Sequence, residues 1–470
     1  MIRKFINRTE ELEALNREYR YDTFSFTVIY GRRRIGKTEL IHKFHMDKPH
    51  IYLLADKRGT LPNLYRFRKM AAELFGDFEP DAKTFDQVFE YIRTKWNGDE
   101  KLVITIDEFS YLAQMDDSIP SVFQLIVDEI LNGGPFHLIL CGSSISMMEK
   151  STLAYSSPLY GRRTGQMLVK PMLFRHIHEF FPKLSSEDIV NIYGASGGVP
   201  FYLSFFDEKY SFYDNLKNTL FAKEAVLYAE GEFLLREELR EPATYMNILF
   251  AISKGTVKLS EIASKSFLEP KDLTYYMNTL IRLGFVRKEH PLTEKVTTKK
   301  TIYRINDGFI RFWFRFVLSH KDELEQGDKE YAIEDVKNIY NRYLGETFEQ
   351  IGREMLLYLN SKGELPFRFH KLGRQWGKIP KVPRGRNDYE IDIVAINSDT
   401  KEILFCECKW QDKTIGIDVY DKLRKKAGYV KWLSGRKDYF VIISKSGFTD
   451  EMMRVAKVEG VLLLTPDNYL

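Results

Sequence analysis

Gly31-Arg32-Arg33-Arg34-Ile35-Gly36-Lys37-Thr38 spaces two glycines, a lysine and a threonine as G-x-x-x-x-G-K-T. That spacing suits phosphate. The glycines let backbone N–H groups curl around phosphate oxygens, and a helix starting at the lysine adds the positive end of its dipole. Lys37 would reach the outer phosphates of a nucleoside triphosphate, and Thr38 would place its hydroxyl on magnesium. The motif needs a strand before it and a helix after it. Phe26–Tyr30 reads as a short buried strand, and Glu39–Phe44 puts Leu40, Ile41 and Phe44 on one helical face.

Two further groups extend this chemistry. Leu102–Ile106 is an apolar strand ending in Asp107-Glu108. An acid at that end can hold the magnesium shell, and the next can polarise an attacking water, so Asp107 is assigned to the metal and Glu108 to the water. Phe136–Cys141 likewise ends in Gly142-Ser143-Ser144, where a polar side chain can sense the outer phosphate or the chain simply turns at the strand end.

A separate constellation lies near the carboxyl end. Glu390-Ile391-Asp392 is followed, 15 positions after Asp392, by Glu407-Cys408-Lys409. Strand alternation puts Glu407 and Lys409 on one face and Cys406 and Cys408 on the other. If the two runs pair as a hairpin, Asp392, Glu407 and Lys409 converge. Two carboxylates and a lysine on a sheet surface can bind a hard divalent ion, magnesium or manganese, and orient a water. An ordinary exposed ion pair is the alternative. Before these strands, His370–Arg386 interleaves basic residues, Arg384 among them, with Trp376, glycines and prolines. It reads as a loop able to track a phosphate backbone, or as a merely solvated one.

The elements that must position these residues follow from periodicity. Asn7, with Glu10 three positions later, reads as a capping box before the first helix. Strands are expected at 26–30, 50–54, 102–106 and 136–141 with helices between them, which argues for a parallel sheet covered on both faces. Residues 1–182 form this core and 183–240 a small helical lid. Residues 241–306 carry helices at Tyr245–Ser253, Ser260–Ser264 and Pro270–Leu283, then strands Phe285–Glu289 and Thr301–Ile305. Three helices and a hairpin make a winged helix-turn-helix pattern, with Lys271, Thr274, Tyr275 and Asn278 outward on the third helix, which reads equally as a DNA reader or as a module coupling the ATPase to the carboxyl-terminal domain. Residues 307–345 read as a helical connection. Residues 346–470 read as an α/β domain with strands 389–395, 402–408, 438–443 and 460–464.

At 470 residues the chain is long enough for about three domains. Its formal charge of +4 neither demands nor excludes nucleic acid. Three cysteines cannot build a disulfide framework or a four-ligand zinc site. The amino terminus shows no apolar signal core, and no apolar run approaches the roughly 20 residues that span a bilayer, so a cytoplasmic protein with no membrane partner is expected.

Asn7-Arg8, the arginine-rich loop, Asp107-Glu108, Gly142–Ser144, Leu159–Arg162 and Gly197–Pro200 together resemble the archaeal-type ATPases, relatives of the AAA+ and STAND P-loop NTPases, over roughly residues 1–240. The resemblance implies ATP as ligand, Asn7 and Arg8 near the adenine, Ser143 as polar sensor, and Arg162 or Arg163 as arginine finger. Gly197–Pro200 lacks the arginine that many AAA+ lids aim at the nucleotide. Residues 346–470 resemble the PD-(D/E)xK nucleases, and more closely a carboxyl-terminal domain common in archaeal ATPases. That resemblance implies an acid on the preceding helix, Glu349 or alternatively Glu354; the proline of the motif is replaced by Ile391. The expected fold class is α/β: a P-loop NTPase domain with parallel sheet and helical lid, a winged helix module, and a restriction-endonuclease-like domain. The expected function is an ATPase coupled to a DNA-binding, metal-dependent DNA-cleaving domain. The alternatives are a STAND-like switch that assembles into homo-oligomers with ATP, and a transcription factor reading DNA through the winged helix.

Overall fold

The computed structural model describes residues 5–383 and 385–470, so Arg384 and the first four residues lie outside the described set. Two units divide the chain. The first runs to Pro171 and takes in Val199–Phe201; the second holds Met172–Gly198 and Tyr202–Leu470.

Five strands build the first unit: β1 (Ser25–Tyr30), β2 (His50–Leu54), β3 (Leu102–Asp107), β4 (Phe136–Gly142) and β5 (Gly165–Leu168). They lie in the order β2-β3-β4-β1-β5, and every pairing is parallel. β3 and β4 are buried along their whole length, which is why they read as unbroken apolar runs rather than alternating ones. Phe67, Phe85, Phe89, Phe109 and Phe123 pack with Val28, Ile104 and Leu138 to cover one face. Parallel pairing sends all five strands' carboxyl ends to one edge of the sheet. The loop after β1 and the acids after β3 therefore share that edge, where open α/β sheets place their ligands.

The short strand β5 was not expected from sequence. Its residues are half-buried and exposed in turn, so it lacks a long apolar run. The capping box at Asn7 is also corrected. Helix Thr9–Tyr19 has Arg8 at its N-cap with φ 67° and no side-chain cap bond. Asn7 is itself left-handed at φ 55°, so neither residue has the extended backbone that an N-cap side chain needs.

In the second unit, helices Pro242–Ser253, Leu259–Lys265 and Pro270–Arg282 precede an antiparallel pair, β6 (Val286–Glu289) and β7 (Ile302–Ile305). Leu273, Met277 and Leu280 are buried on the third helix, while Lys271, Thr274, Tyr275 and Asn278 are exposed. A 34-residue helix, Lys329–Lys362, follows. It starts where Asp328 caps Tyr331 N at 3.0 Å and ends at left-handed Gly363. Between those signals Ile333, Val336, Tyr340, Leu344, Phe348, Ile351 and Met355 recur at helical spacing and are buried. The helix runs through residue 345 without a break.

A mixed sheet closes the unit, in the order β12-β11-β10-β9-β8. Its strands are β8 (Lys371–Lys378), β9 (Asp388–Asn397), β10 (Glu402–Lys409), β11 (Lys437–Ser444) and β12 (Leu462–Leu464). β8 corrects the reading of His370–Arg386 as loop throughout: Lys371–Lys378 pairs antiparallel with β9 at the sheet edge. Two glycines and several cations hid the strand, because such residues are depleted in strands and tolerated best at edges. The three cysteines are buried and free.

Glu354, on the long helix, is buried and accepts from Phe174 N and from the Tyr193 hydroxyl, both at 2.9 Å. Burial outweighs those bonds and lifts its carboxyl from 4.5 to about 7. Between those two values the folded chain keeps a proton that the unfolded chain releases, so this group's contribution to stability falls as pH rises through the window. Glu354→Gln, neutral throughout, is expected to flatten that part of the pH dependence of the melting midpoint. An unchanged slope between about pH 5 and pH 7 would contradict the assignment.

Candidate nucleotide site and carboxylate–lysine site

The phosphate loop is held open by backbone geometry that only glycine allows. Gly31 has φ 151°, and a Cβ there would stand 2.5 Å from the Val169 carbonyl oxygen. Gly36, left-handed at φ 88°, turns the chain into helix Lys37–His45. Lys37 begins that helix, and its ammonium donates back to the carbonyls of Gly31 at 2.9 Å and Arg32 at 3.0 Å. Its charge is thus fixed beneath the loop. Arg8 supports the loop from below, donating to the Ile35 carbonyl at 2.9 Å and to Glu11 at 2.8 Å. Arg33 meets the Tyr111 hydroxyl, and the Arg34 guanidinium lies 4.3 Å from the Phe201 ring centre. Arg32 and Ile35 are buried.

Thr38 ties this loop to the end of β3. Its hydroxyl donates to Asp107 Oδ2 at 2.8 Å, and the Tyr52 hydroxyl donates to the same oxygen at 2.8 Å. The backbone N–H of Glu108 holds the other oxygen at 2.9 Å. Burial first, and Asp107 second, push the Tyr52 hydroxyl well up, so it stays a donor. Glu108 adopts φ 55°, a conformation side chains rarely take outside constrained sites. In that pose its carboxylate accepts from Ser143 Oγ at 2.7 Å and from Ser143 N at 3.2 Å. Thr38, Asp107, Glu108 and Ser143 thus form one connected set between the start of helix Lys37–His45 and the ends of β3 and β4.

A hydroxyl and a carboxylate oxygen 2.8 Å apart beside a phosphate loop are hard donors of the kind magnesium takes. The donor set fits the ion. Arg162 stands apart from this set: its Nε meets both oxygens of Asp128 at 2.8 and 2.9 Å, and its Nη1 meets the Pro158 carbonyl. Arg163 donates to Gln166 at 2.8 Å. Sequence reasoning overlooked Tyr52, because one tyrosine in a strand carries no signal of the acid it will meet.

The carboxyl-terminal constellation comes together on a hairpin. β9 and β10 pair antiparallel with Ile393 opposite Cys406, which sets Asp392 across from Glu407. Asp392 Oδ2 accepts from Cys408 N at 2.9 Å. Lys409 donates to Glu407 at 2.7 Å, and Lys426 reaches both oxygens of Glu407 at 2.9 Å. The β8–β9 register shifts between Gly373 and Gln375, so Asp392 lies at a bulge. Bulges re-aim side chains. Burial, then Glu407, lift the Asp392 carboxyl to about 6, while Lys409 and Arg374 pull it down.

Glu349 is taken by Arg374, which also meets Glu390 and is 3% exposed. Glu354, the alternative acid, bonds Phe174 and Tyr193 instead. Among the described residues no three His, Cys, Asp or Glu side chains form a group that could hold a metal ion. Sequence reasoning gave Arg374 and Lys426 no part here. Arg374 lay in a stretch read as loop, and Lys426 is one of several lysines on its helix.

Two substitutions separate loop shape from loop charge. Lys37→Ala removes the cation but no backbone feature; ATP hydrolysis should fall on the order of 10²-fold or more with the melting midpoint near wild type. Gly31→Ala should lower both, because its Cβ meets backbone. Wild-type turnover in Lys37→Ala would remove this loop from the active site.

Comparison with known proteins bears on both regions. Residues 5–206 match an ATPase domain family found predominantly in Archaea. Residues 313–423 match a family described as archaeal and bacterial proteins of unknown function. An uncharacterised protein of Methanocaldococcus jannaschii is 39% identical over 447 residues, covering 94% of this chain and 95% of the relative. An uncharacterised ATP-binding protein of the same organism is 50% identical over 44 residues, 9% of this chain and 75% of that protein. The Walker-type ATPase of Pyrococcus abyssi superposes with a TM-score of 0.51 at 21% identity, covering 66% of this chain and 96% of that one, a likeness of fold. Among the described residues no helix is long and apolar enough to cross a membrane. With a full-length relative at this identity and the ATPase domain matched over its phosphate loop and acids, the chain belongs to the archaeal ATPase family.

Proposed function

We propose that the chain hydrolyses ATP at the Gly31–Thr38 loop and uses nucleotide state to govern a nucleic-acid-binding, phosphodiester-cleaving second unit. The observation that carries the first half is the bonded set Thr38, Asp107, Glu108 and Ser143 beside Lys37. Lys37 exchanges its loop carbonyls for the outer phosphates. Glu108 takes the proton of the attacking water as its oxygen bonds the terminal phosphorus and ADP leaves. Ser143, bonded to that acid, links its position to the terminal phosphate, and Asn7 and Arg8 flank the base. Magnesium, held by Thr38 and Asp107 when bound, supplies neutralisation of the phosphate charge.

Arg162 has its contacts within its own unit at Asp128 and Pro158, away from the loop. That favours a finger supplied to a neighbouring copy in an ATP-dependent homo-oligomer. Arg162→Ala and Glu108→Gln should each be inactive alone, and mixing them should restore hydrolysis, since the second variant still offers Arg162. Mixtures as inactive as the separate proteins would refute a finger in trans.

Three helices before a hairpin support a winged helix reading of residues 241–306, and the β9–β10 hairpin with Asp392, Glu407 and Lys409 supports a restriction-endonuclease-like one for the sheet. A divalent ion at Asp392 and Glu407, with magnesium or manganese in mind, would supply a water of lowered pKa. Lys409 would hold that water against the phosphorus, with Glu349 joining once Arg374 releases it. Incubation with single- and double-stranded DNA, manganese and ATP should give cleavage that Lys409→Ala reduces by at least about 10²-fold. Cleavage that survives Lys409→Ala would sink the assignment. The salt link of Arg374 to Glu349 and Glu390 favours one other reading, a STAND-like switch whose second unit binds without cutting. Nucleotide-dependent assembly with no cleavage by wild type supports that one.

A further inference from the structure

A cleft of about 670 Å³ opens within the second unit, with Asp392, Glu349 and Glu390 among its lining. Its lining is strongly basic. Most of those cations are already neutralised. Arg304 and Arg311 pair with Glu346 at 3.5 and 3.3 Å, Arg374 pairs with Glu349 and Glu390, and Lys426 with Glu407. Burial alone would raise Glu346, yet these arginines and Arg287 hold it down at about 2, so that network is charged and closed.

Lys254, Arg315 and Arg342 also line the cleft, and they are different. Lys254 follows helix Pro242–Ser253, Arg315 lies in the short π-helix Trp313–Val317, and Arg342 is on the long helix. No described residue gives the side-chain cation of any of the three an ion pair within 4.0 Å or a hydrogen bond. Burial first, and Arg315 second, lower the affinity of Lys254 for its proton, a sign that the two cations crowd each other. Asp335 offsets part of this on Lys254 without an ion pair to it. Like charges gathered in a cleft without ion pairs of their own raise the free energy of the protein alone, and a polyanion that bridges them lowers it. Three separate elements contribute one cation each, which is the arrangement a bound phosphate chain would need.

We propose that Lys254, Arg315 and Arg342 form a phosphate-binding subsite that leads the backbone of a single nucleic-acid strand toward Asp392. Arginine offers phosphate a planar fork, and lysine a mobile point charge. The cleft volume is that of a small-ligand pocket and admits a short piece of one strand, not a duplex. This rests on the nucleic-acid reading above. It also moves the main contact away from the exposed face of helix Pro270–Arg282, where two cations, Lys271 and Arg282, share the surface with Asp272, Thr274, Tyr275 and Asn278.

The test is fluorescence anisotropy of a fluorescein-labelled oligothymidylate over a salt series, with full-length wild type and the triple variant Lys254→Ala, Arg315→Ala, Arg342→Ala. Each phosphate contact contributes about −0.7 to the slope of log affinity against log salt on single strands, so the triple variant should lose about 2 from that slope. Its affinity should fall on the order of 10²-fold at low salt. ATP hydrolysis should stay at the wild-type rate, since none of the three belongs to the nucleotide site. If the triple variant fails to fold, Arg342→Ala alone, at an exposed position, should still lose about 0.7. Wild type that binds the strand while the variants keep its slope and affinity overturns the subsite and leaves the nucleic-acid reading standing. Wild type that binds no strand at all overturns that reading first. A duplex that competes as well as the single strand overturns the choice of one strand.

Discussion

The hydrogen bond from Thr38 to Asp107 is the constraint on which the nucleotide site depends. It joins residues 69 apart in sequence, one in the first turn of the helix that follows β1 and its loop, the other at the end of β3, a strand that does not neighbour β1 in the sheet. Only parallel pairing through β4 brings both ends to one edge, and β4 then fills the gap with Ser143. Its neighbour Glu108 is consequently placed by the same strand end that places Asp107. A shift of β3 by one residue would turn Asp107 to the other face of the sheet and break the set. The apolar cover of Phe67, Phe89, Phe109 and Phe123 therefore serves the chemistry indirectly, by fixing register.

Charge plays the comparable role in the second unit. Arg287, Arg304, Arg311, Arg353 and Arg374 face Glu289, Glu346, Glu349 and Glu390 across β6, β7, the short helix Gly308–Phe312, the long helix, β8 and β9. Networks of this kind are costly to break on one side, about 3–5 kcal/mol for a buried pair, because the remaining charge is stranded. They also set specificity of packing, which fits a hairpin and a sheet that must meet at one register. Arg374 sits where this network meets Asp392, so the same guanidinium serves structure and keeps Glu349 occupied.

The phosphate loop and its flanking strand and helix were legible in sequence because each local signal agreed: glycines at turns, a buried strand, an amphipathic helix. The Asp392–Lys409 hairpin was legible for the same reason, since alternation and spacing both pointed to one face. What could not be read depended on partners distant in sequence. Arg374 lies in a strand of glycines and cations, whose edge position makes that composition tolerable but invisible to propensity. Lys426 and Tyr52 gain their roles only from what packs opposite them. The expected capping box failed because Asn7 and Arg8 take left-handed backbone, which lets Arg8 brace the Ile35 carbonyl instead of capping its own helix. Residues 307–345 were expected as a connection ahead of a domain, and one 34-residue helix spans that division.

A crystal structure of the full chain with a non-hydrolysable ATP analogue and magnesium tests the central account most directly. The account predicts that Lys37 Nζ leaves the Gly31 and Arg32 carbonyls for the outer phosphates. It also predicts that Thr38 and Asp107 enter the metal's shell, with Glu108 and Ser143 facing the terminal phosphate. Nucleotide bound elsewhere, with Lys37 still on its carbonyls and Thr38 still on Asp107, would contradict it.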